Sequence, residues 1–293
     1  MTKAKIVTVM NMKGGVGKTT TTAHIGWILS RVCENPLNVL MIDYDPQFNL
    51  SQMYIEEKKY FSLDEENKTI YSVLVDDDDD INPYIIQSLT ENNPPKVDNI
   101  SHHIKKNNQN DKNLHIVPSS LSMIYLALNS GIIRYSSIES RFKEFINEAK
   151  SKYDIILIDC HPAGSIFTKT ALFNSDYVLI PVVPSYHSAR GIRLMMEFLK
   201  YTEKSGYSVD PIIIFNGTQK TQSEEEIMIR TNDRYSKYCL ESNIEYSKLF
   251  KRPTESKSFF WEAPEREVTN TEKQLALENL KSAVDSLRIR IGI

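Results

Sequence analysis

A doubly wound α/β fold, with a mostly parallel sheet flanked by helices, is what this sequence predicts, and three features of the chain predict it. Short apolar runs rich in β-branched residues recur between turn residues, helical patterns lie between most of them, and a glycine-rich loop joins the first run to the first helix. Strands alternating with helices imply right-handed crossovers and helices on both faces of a sheet.

The runs, in order, are Ile6–Met10, Val39–Ile42, His115–Val117, Ile155–Ile158, Tyr177–Ile180 and Ile212–Phe215. Each is apolar on both faces, as a strand covered by helices on both sides requires. Ile25, Ile28, Leu29 and Val32 fall at i, i+3, i+4 and i+7, the stripe of one helix face. Near the C-terminus Leu277, Leu280, Val284, Leu287 and Ile291 repeat at spacings of three and four. The opposite face mixes Glu278, Lys281, Asp285 and Arg288, so this helix is expected to dock on the sheet layer rather than lie in lipid.

A chain of 293 residues, 41% hydrophobic, suits one domain spanning 1–293. The stretch around 56–113 breaks the pattern and reads as a variable acidic and polar insertion of helical pieces and long loops. Between Glu56 and Asp80 it carries ten acids and three lysines, so the rest of the chain is net positive against an overall charge of −3. The run Asp76 to Asp80 reads as solvated charge, and His102-His103 lacks a third partner for a metal. Cys33, Cys160 and Cys239 are too scattered for a disulfide or zinc framework, which fits a reducing compartment. No apolar stretch reaches the ~18 residues of a membrane span, and the N-terminal apolar run is too short for a signal peptide. A cytoplasmic protein without a membrane partner is expected.

The strongest chemical signal is Lys13-Gly14-Gly15-Val16-Gly17-Lys18-Thr19-Thr20, after a predicted strand and before a predicted helix. That context makes it a phosphate-binding P-loop: glycines let backbone N–H groups turn inward, and the helix N-terminus adds its partial positive charge. Lys18 is expected on the β- and γ-phosphates and the Thr19 hydroxyl on Mg²⁺, with ATP as the nucleotide. Asp43 and Asp45 close the second run, at the sheet edge where open α/β folds bind ligands. Asp45 is assigned to polarising the attacking water and Asp43 to the magnesium shell. Asp159 ends the fourth run in the Walker B manner and is expected to hold Mg²⁺ through a water. His161, two residues on, has the weaker claim, because P-loop hydrolysis mainly needs positioning and charge stabilisation.

The strings KGGVGKTTTT, DYDPQFNLS, DIILIDCHP and YVLIPVVPS, in this order, resemble the ParA/Soj family of partition ATPases, a deviant Walker A class of P-loop NTPase. The likeness is close over the catalytic half and looser from Pro211 onward. It implies that Lys13 crosses a homodimer interface, formed on ATP binding, to reach the other subunit's nucleotide; contact with its own nucleotide is the alternative. It also implies that Asn216 recognises adenine, with Pro184 lining the same pocket. Phe48 stands where the family usually has glycine, and His161 where it has proline. Only twelve residues precede Lys13, so a short form without a helix-turn-helix domain is expected.

The resemblance further implies non-specific DNA binding by the dimer, nucleoid association in the ATP state, and slow hydrolysis stimulated by a ParB-like centromere-binding partner. Arg230, Arg234 and Lys237 at helical spacing, with Lys251 and Arg252 after an expected strand at Leu249-Phe250, are the candidate DNA contacts. Between Lys220 and Lys257 eight basic residues stand beside seven acids, so linear charge alone does not make a DNA site. A MinD-like ATPase that positions cargo at a membrane is the alternative. An iron-sulfur relative lacks its cysteines here, and a bacterial tyrosine kinase lacks its C-terminal tyrosine cluster.

Overall fold

Six apolar runs become six parallel strands because each can bury both faces only by lying side by side under two helical layers. The computed structural model describes residues 4–76, 79, 81, 89–90, 92–104, 114–128, 135–161, 165–252 and 259–293. The predicted runs are β1 (Lys5–Val9), β2 (Val39–Tyr44), β4 (Leu114–Val117), β5 (Ile155–Cys160), β6 (Tyr177–Val182) and β7 (Asp210–Thr218). Two short edge strands, β3 (His102–His103) and β8 (Ile244–Glu245), complete an eight-stranded sheet of order β3-β4-β2-β5-β1-β6-β7-β8. Among the described residues only the β3–β4 pairing is antiparallel. Two residues are too few to leave a periodic signal, which is why these edges were not legible.

Side chains alternate between the faces as a pleated strand demands. Val7, Val9, Val39, Met41, Ile155 and Leu157 point to the layer of α1 (Lys18–Arg31), α2 (Asn49–Tyr54), α3 (Glu57–Glu65) and the C-terminal helix α11 (Asn270–Ile291). Ile6, Leu40, Ile42, Ile156 and Ile158 point the other way, to α4 (Ile70–Leu74), α5 (Val97–Ile100), α6 (Met123–Leu128), α7 (Tyr135–Ala149) and α8 (Ile166–Phe173). A third cluster joins β6 and β7 to α9 (Ser188–Lys204) and α10 (Glu224–Arg230). The predicted stripe of α11 is its docking face: Leu280, Val284, Leu287 and Ile291 are buried in the same cluster as α1, and Leu277 is half-buried. No described helix is long and apolar enough to cross a membrane.

The insertion is pinned more firmly than a solvated loop would be. Arg141 of α7 is buried and donates to the carbonyls of Ser72, Val73, Val75 and Asn92, which gathers the C-terminus of α4 and the later strap onto one guanidinium. It also pairs with Asp76 at 3.1 Å. Asp79 accepts both the backbone N–H and the hydroxyl of Thr90 at 2.8 Å. Asp76 and Asp79 therefore depart from the expectation that this run is solvated charge, because a buried guanidinium and a half-buried threonine give them fixed donors. Residues 77, 78 and 80 of the run, and the polar stretch 105–113, lie outside the described residues.

Candidate phosphate and magnesium site

Parallel strands bring their C-terminal ends to one edge, and the three predicted motifs meet there. Asp159 on β5 is in register with Val9 at the end of β1 and with Asp43 on β2, so the two carboxylates sit on adjacent strands beside the exit of the loop. Lys13, Gly14 and Gly15 are exposed, Val16 is buried, and Gly17 through Thr20 are half-buried at the start of α1. Asn11 shapes the entry, donating to the Pro181 carbonyl at 2.7 Å and accepting the N–H of Lys13 at 2.9 Å.

Gly17 caps α1 with a φ of 83°, a left-handed conformation that favours glycine. The first intrahelical N–H is that of Thr21, bonded to the Gly17 carbonyl at 2.8 Å. The N–H groups of Lys18, Thr19 and Thr20 precede it and have no intrahelical acceptor, and the first turn carries no acid. Such a helix start attracts anions.

The carboxylates differ in how well they are satisfied. Asp43 is fully buried, with Oδ2 accepting the N–H of Ser51 at 2.7 Å and its hydroxyl at 2.6 Å. Asp45 is buried too, its Oδ1 accepting the N–H of Gln47 at 2.9 Å, while Ser119 ties its carbonyl at 2.6 Å. Asp159 is less fully satisfied: Thr22 reaches Oδ1 at 3.4 Å, and Oδ2 is buried with no hydrogen-bond partner among the described residues. Burial pushes its carboxyl up to about 7, the Asp45 charge adds to the rise, and the Thr19 hydroxyl and Lys18 oppose it. Burial, then the Asp159 charge, raises Asp43 well above the usual carboxylate range.

An unpartnered buried carboxylate oxygen beside a helix start is what a hard cation would relieve. Among the described residues no three His, Cys, Asp or Glu side chains converge as a metal cage.

Lys13 extends its ammonium to Ser185 Oγ at 3.3 Å in the loop after β6. Pro184, beside it, is half-buried. Asn216 lies at the end of β7 and donates from Nδ2 to the Val16 carbonyl at 2.9 Å. Phe48 adopts a left-handed φ of 44°, the conformation for which glycine would be favoured, and its ring stacks on Tyr60 with centroids 4.8 Å apart.

The proposed basic face changes on inspection of the backbone. Helix α10 ends at Arg230, so Arg230, Arg234 and Lys237 do not share one helix face as their spacing suggested. Arg230 is turned inward, bonded to Glu226 and the Leu240 carbonyl and laid over the Phe215 ring. Arg234 and Lys237 line a cleft with Arg193 and Lys200, but Glu197, Glu203, Asp210 and Asp233 line it as well. The expected strand at Leu249-Phe250 is a 3-10 turn, Lys248–Lys251, because Phe250 is drawn into the core beneath it. Lys251 is exposed on that turn, and Arg252 pairs with Glu267 at 2.8 Å.

His24 was not singled out in the sequence. One turn beyond the loop, its ring is fully buried among Phe250, Phe259, Phe260 and Trp261, with centroids 4.9 to 6.2 Å away, and Nδ1 lies 2.7 Å from the Thr20 carbonyl. Burial lowers its pKa from 6.5 to about 4. Between those values the unfolded chain binds a proton that the native chain refuses, so this group withdraws stability as pH falls from 6.5 toward 4, about 3 kcal/mol in full. Asp159, raised in the fold, contributes the opposite slope. The difference isolates His24: between pH 7 and pH 5 the wild type should lose more urea resistance than His24→Leu, and equal losses would refute the assignment.

The family model for an AAA domain matches residues 4–210. The chain belongs to the ParA/Soj-type P-loop ATPase family. The sporulation initiation inhibitor protein Soj of Bacillus subtilis is 30% identical over 200 residues, which is 68% of this chain and 66% of that protein, about two thirds of each. Among solved structures, one of a plasmid partition protein from Borrelia burgdorferi superposes at a TM-score of 0.66 with 20% identity over 99% of this chain and 100% of that one. Cobyrinic acid a,c-diamide synthase from Mycobacterium smegmatis, solved with ADP and magnesium, reaches 0.69 at 17% identity over 99% and 97%. At such identities the likeness shows the ParA-like fold alone, and the Soj match and the family model carry the membership.

Proposed function

We propose that this chain is a Mg²⁺-dependent ATPase that moves or segregates DNA by cycling between nucleotide states. The observation that carries the reading is the pair of lysines on one loop: Lys18 at the start of α1, and Lys13 exposed at the lip, held by its own chain through one long contact to Ser185. An exposed cation at the lip of the loop is placed where it can serve a second copy's nucleotide, which supports an ATP-dependent homodimer joined through this face.

The N–H groups at the start of α1 and the Lys18 ammonium would bind and orient the β- and γ-phosphates. Thr19 and Asp159 would hold magnesium, Asp159 through a water, with Asp43 in its outer shell. When bound, the metal supplies positive charge to the phosphate oxygens. Asp45 orients the attacking water, and Pro184 and Asn216 border the adenine. A partner's Lys13 would add charge where the transferred group is most negative, which stabilises the transition state rather than the ground state.

DNA is the proposed cargo surface of the dimer, held without sequence preference through phosphates, and a ParB-like adaptor is the proposed stimulator. Among the candidate contacts, exposed Lys251, with Arg234 and Lys237, remains better placed than Arg230. The docked face of α11 weighs against the MinD-like alternative, which needs a free amphipathic tail.

Retention of non-specific DNA at low salt, with ATP, ADP or no nucleotide, tests the cycle. Wild type should retain DNA with ATP only, and Lys13→Ala should lose that retention. Equal retention in all three nucleotide conditions would reject the switch.

A further inference from the structure

We infer that Asn216 is a positioning residue for the phosphate loop, not solely a contact for the base. This rests on the reading above that the loop binds a triphosphate, and adds to it a second job for a side chain 200 residues away in sequence.

The geometry is specific. Asn216 Nδ2 donates to the Val16 carbonyl at 2.9 Å. A Cβ on Gly17 would stand 2.3 Å from that same nitrogen, so the amide fills the space that glycine leaves open. Gly17 is thus required twice, by its φ of 83° and by the approach of Asn216. The peptide between Val16 and Gly17 is trans, and in a trans peptide the C=O and N–H point in opposite directions. Holding the Val16 carbonyl toward β7 therefore turns the Gly17 N–H away from β7, available to a phosphate oxygen.

The strand is built to hold that pose. The β7–β8 register shifts between Asn216 and Thr218, where Gly217 takes a φ of 66°. A bulge of this kind re-aims a side chain at the end of a strand. Thr218 is fixed in turn by Asn243, whose Nδ2 donates to Thr218 Oγ1 at 3.0 Å.

Inorganic tripolyphosphate separates this role from base recognition, because it has the phosphates of ATP and no base. Titration calorimetry with Mg²⁺ would compare tripolyphosphate and ATP on wild type, Asn216→Ala and Asn216→Leu, the last keeping nearly the same volume with no N–H and no added charge. Both variants should bind tripolyphosphate about tenfold more weakly than wild type, the value of one hydrogen bond, at an unchanged unliganded melting temperature. Tripolyphosphate affinity within twofold of wild type in both variants, with only ATP binding weakened, would overturn the inference in favour of base contact alone. A loss of binding that follows a loss of fold in both variants would also overturn it. Wild type failing to bind either ligand would instead reject the phosphate-loop reading, and this inference with it.

Discussion

Asp159→Asn should yield a protein that is more stable without ligand and inactive with it. In the unliganded fold three carboxylates, Asp43, Asp45 and Asp159, are buried at one sheet edge, and Asp159 Oδ2 has no donor. Burial pushes the Asp159 carboxyl up to about 7 from 3.8, so at pH 8 the native state carries a charge that it resists and the unfolded state does not. A shift of this size corresponds to about 4 kcal/mol as an upper limit. The amide removes that charge at nearly constant shape, and an increase on the order of 2 kcal/mol in unfolding free energy is expected at pH 8. The sign is clear: the native pKa is raised, so the penalty grows as pH rises through the interval between 3.8 and about 7 and is fully present above it. ATP hydrolysis should meanwhile fall by about a hundredfold or more, because in the role proposed for Asp159 the amide would no longer offer magnesium a negative oxygen. Urea denaturation and phosphate release, measured on one preparation, check both halves. A variant less stable than wild type would show that Asp159 is satisfied in ways the fold does not reveal.

Arg141→Ala should be strongly destabilising although it lies outside the phosphate site. The guanidinium serves four carbonyls and the Asp76 carboxylate from a buried position. Truncation removes this shared donor from the four carbonyls and from Asp76, and the loss of one partner from a buried charged network costs about 3–5 kcal/mol. Because the acceptors lie on α4 and the strap after it, proteolysis should then cut first within the insertion. An urea midpoint within experimental error of wild type would show that this segment contributes nothing to the stability of the sheet.

Both expectations concern groups whose type was visible in the sequence and whose environment was not. Asp159 was legible because four apolar residues before an acid describe a buried strand reaching a sheet edge. The lack of a donor at its Oδ2 was not, because that depends on where Thr19, Thr22 and Lys18 stand around the carboxyl once the chain has folded. Arg141 sits among ordinary charged residues of a helix, and only the fold brings α4 beneath it. The basic face failed for a related reason. Spacing of three and four predicts a shared face only while the helix lasts, and α10 stops at Arg230.

The strand runs, their alternation with helices and the order of the phosphate-loop and carboxylate motifs were readable along the chain, because these depend on local periodicity and on residues adjacent in sequence. The contacts of Asn216, Ser51, Arg141 and His24 are visible only in the folded chain, since each meets a group that folding brings within hydrogen-bonding or van der Waals reach. Hydrogen bonds and burial are set by distance in space, and a linear pattern records that distance only within an element.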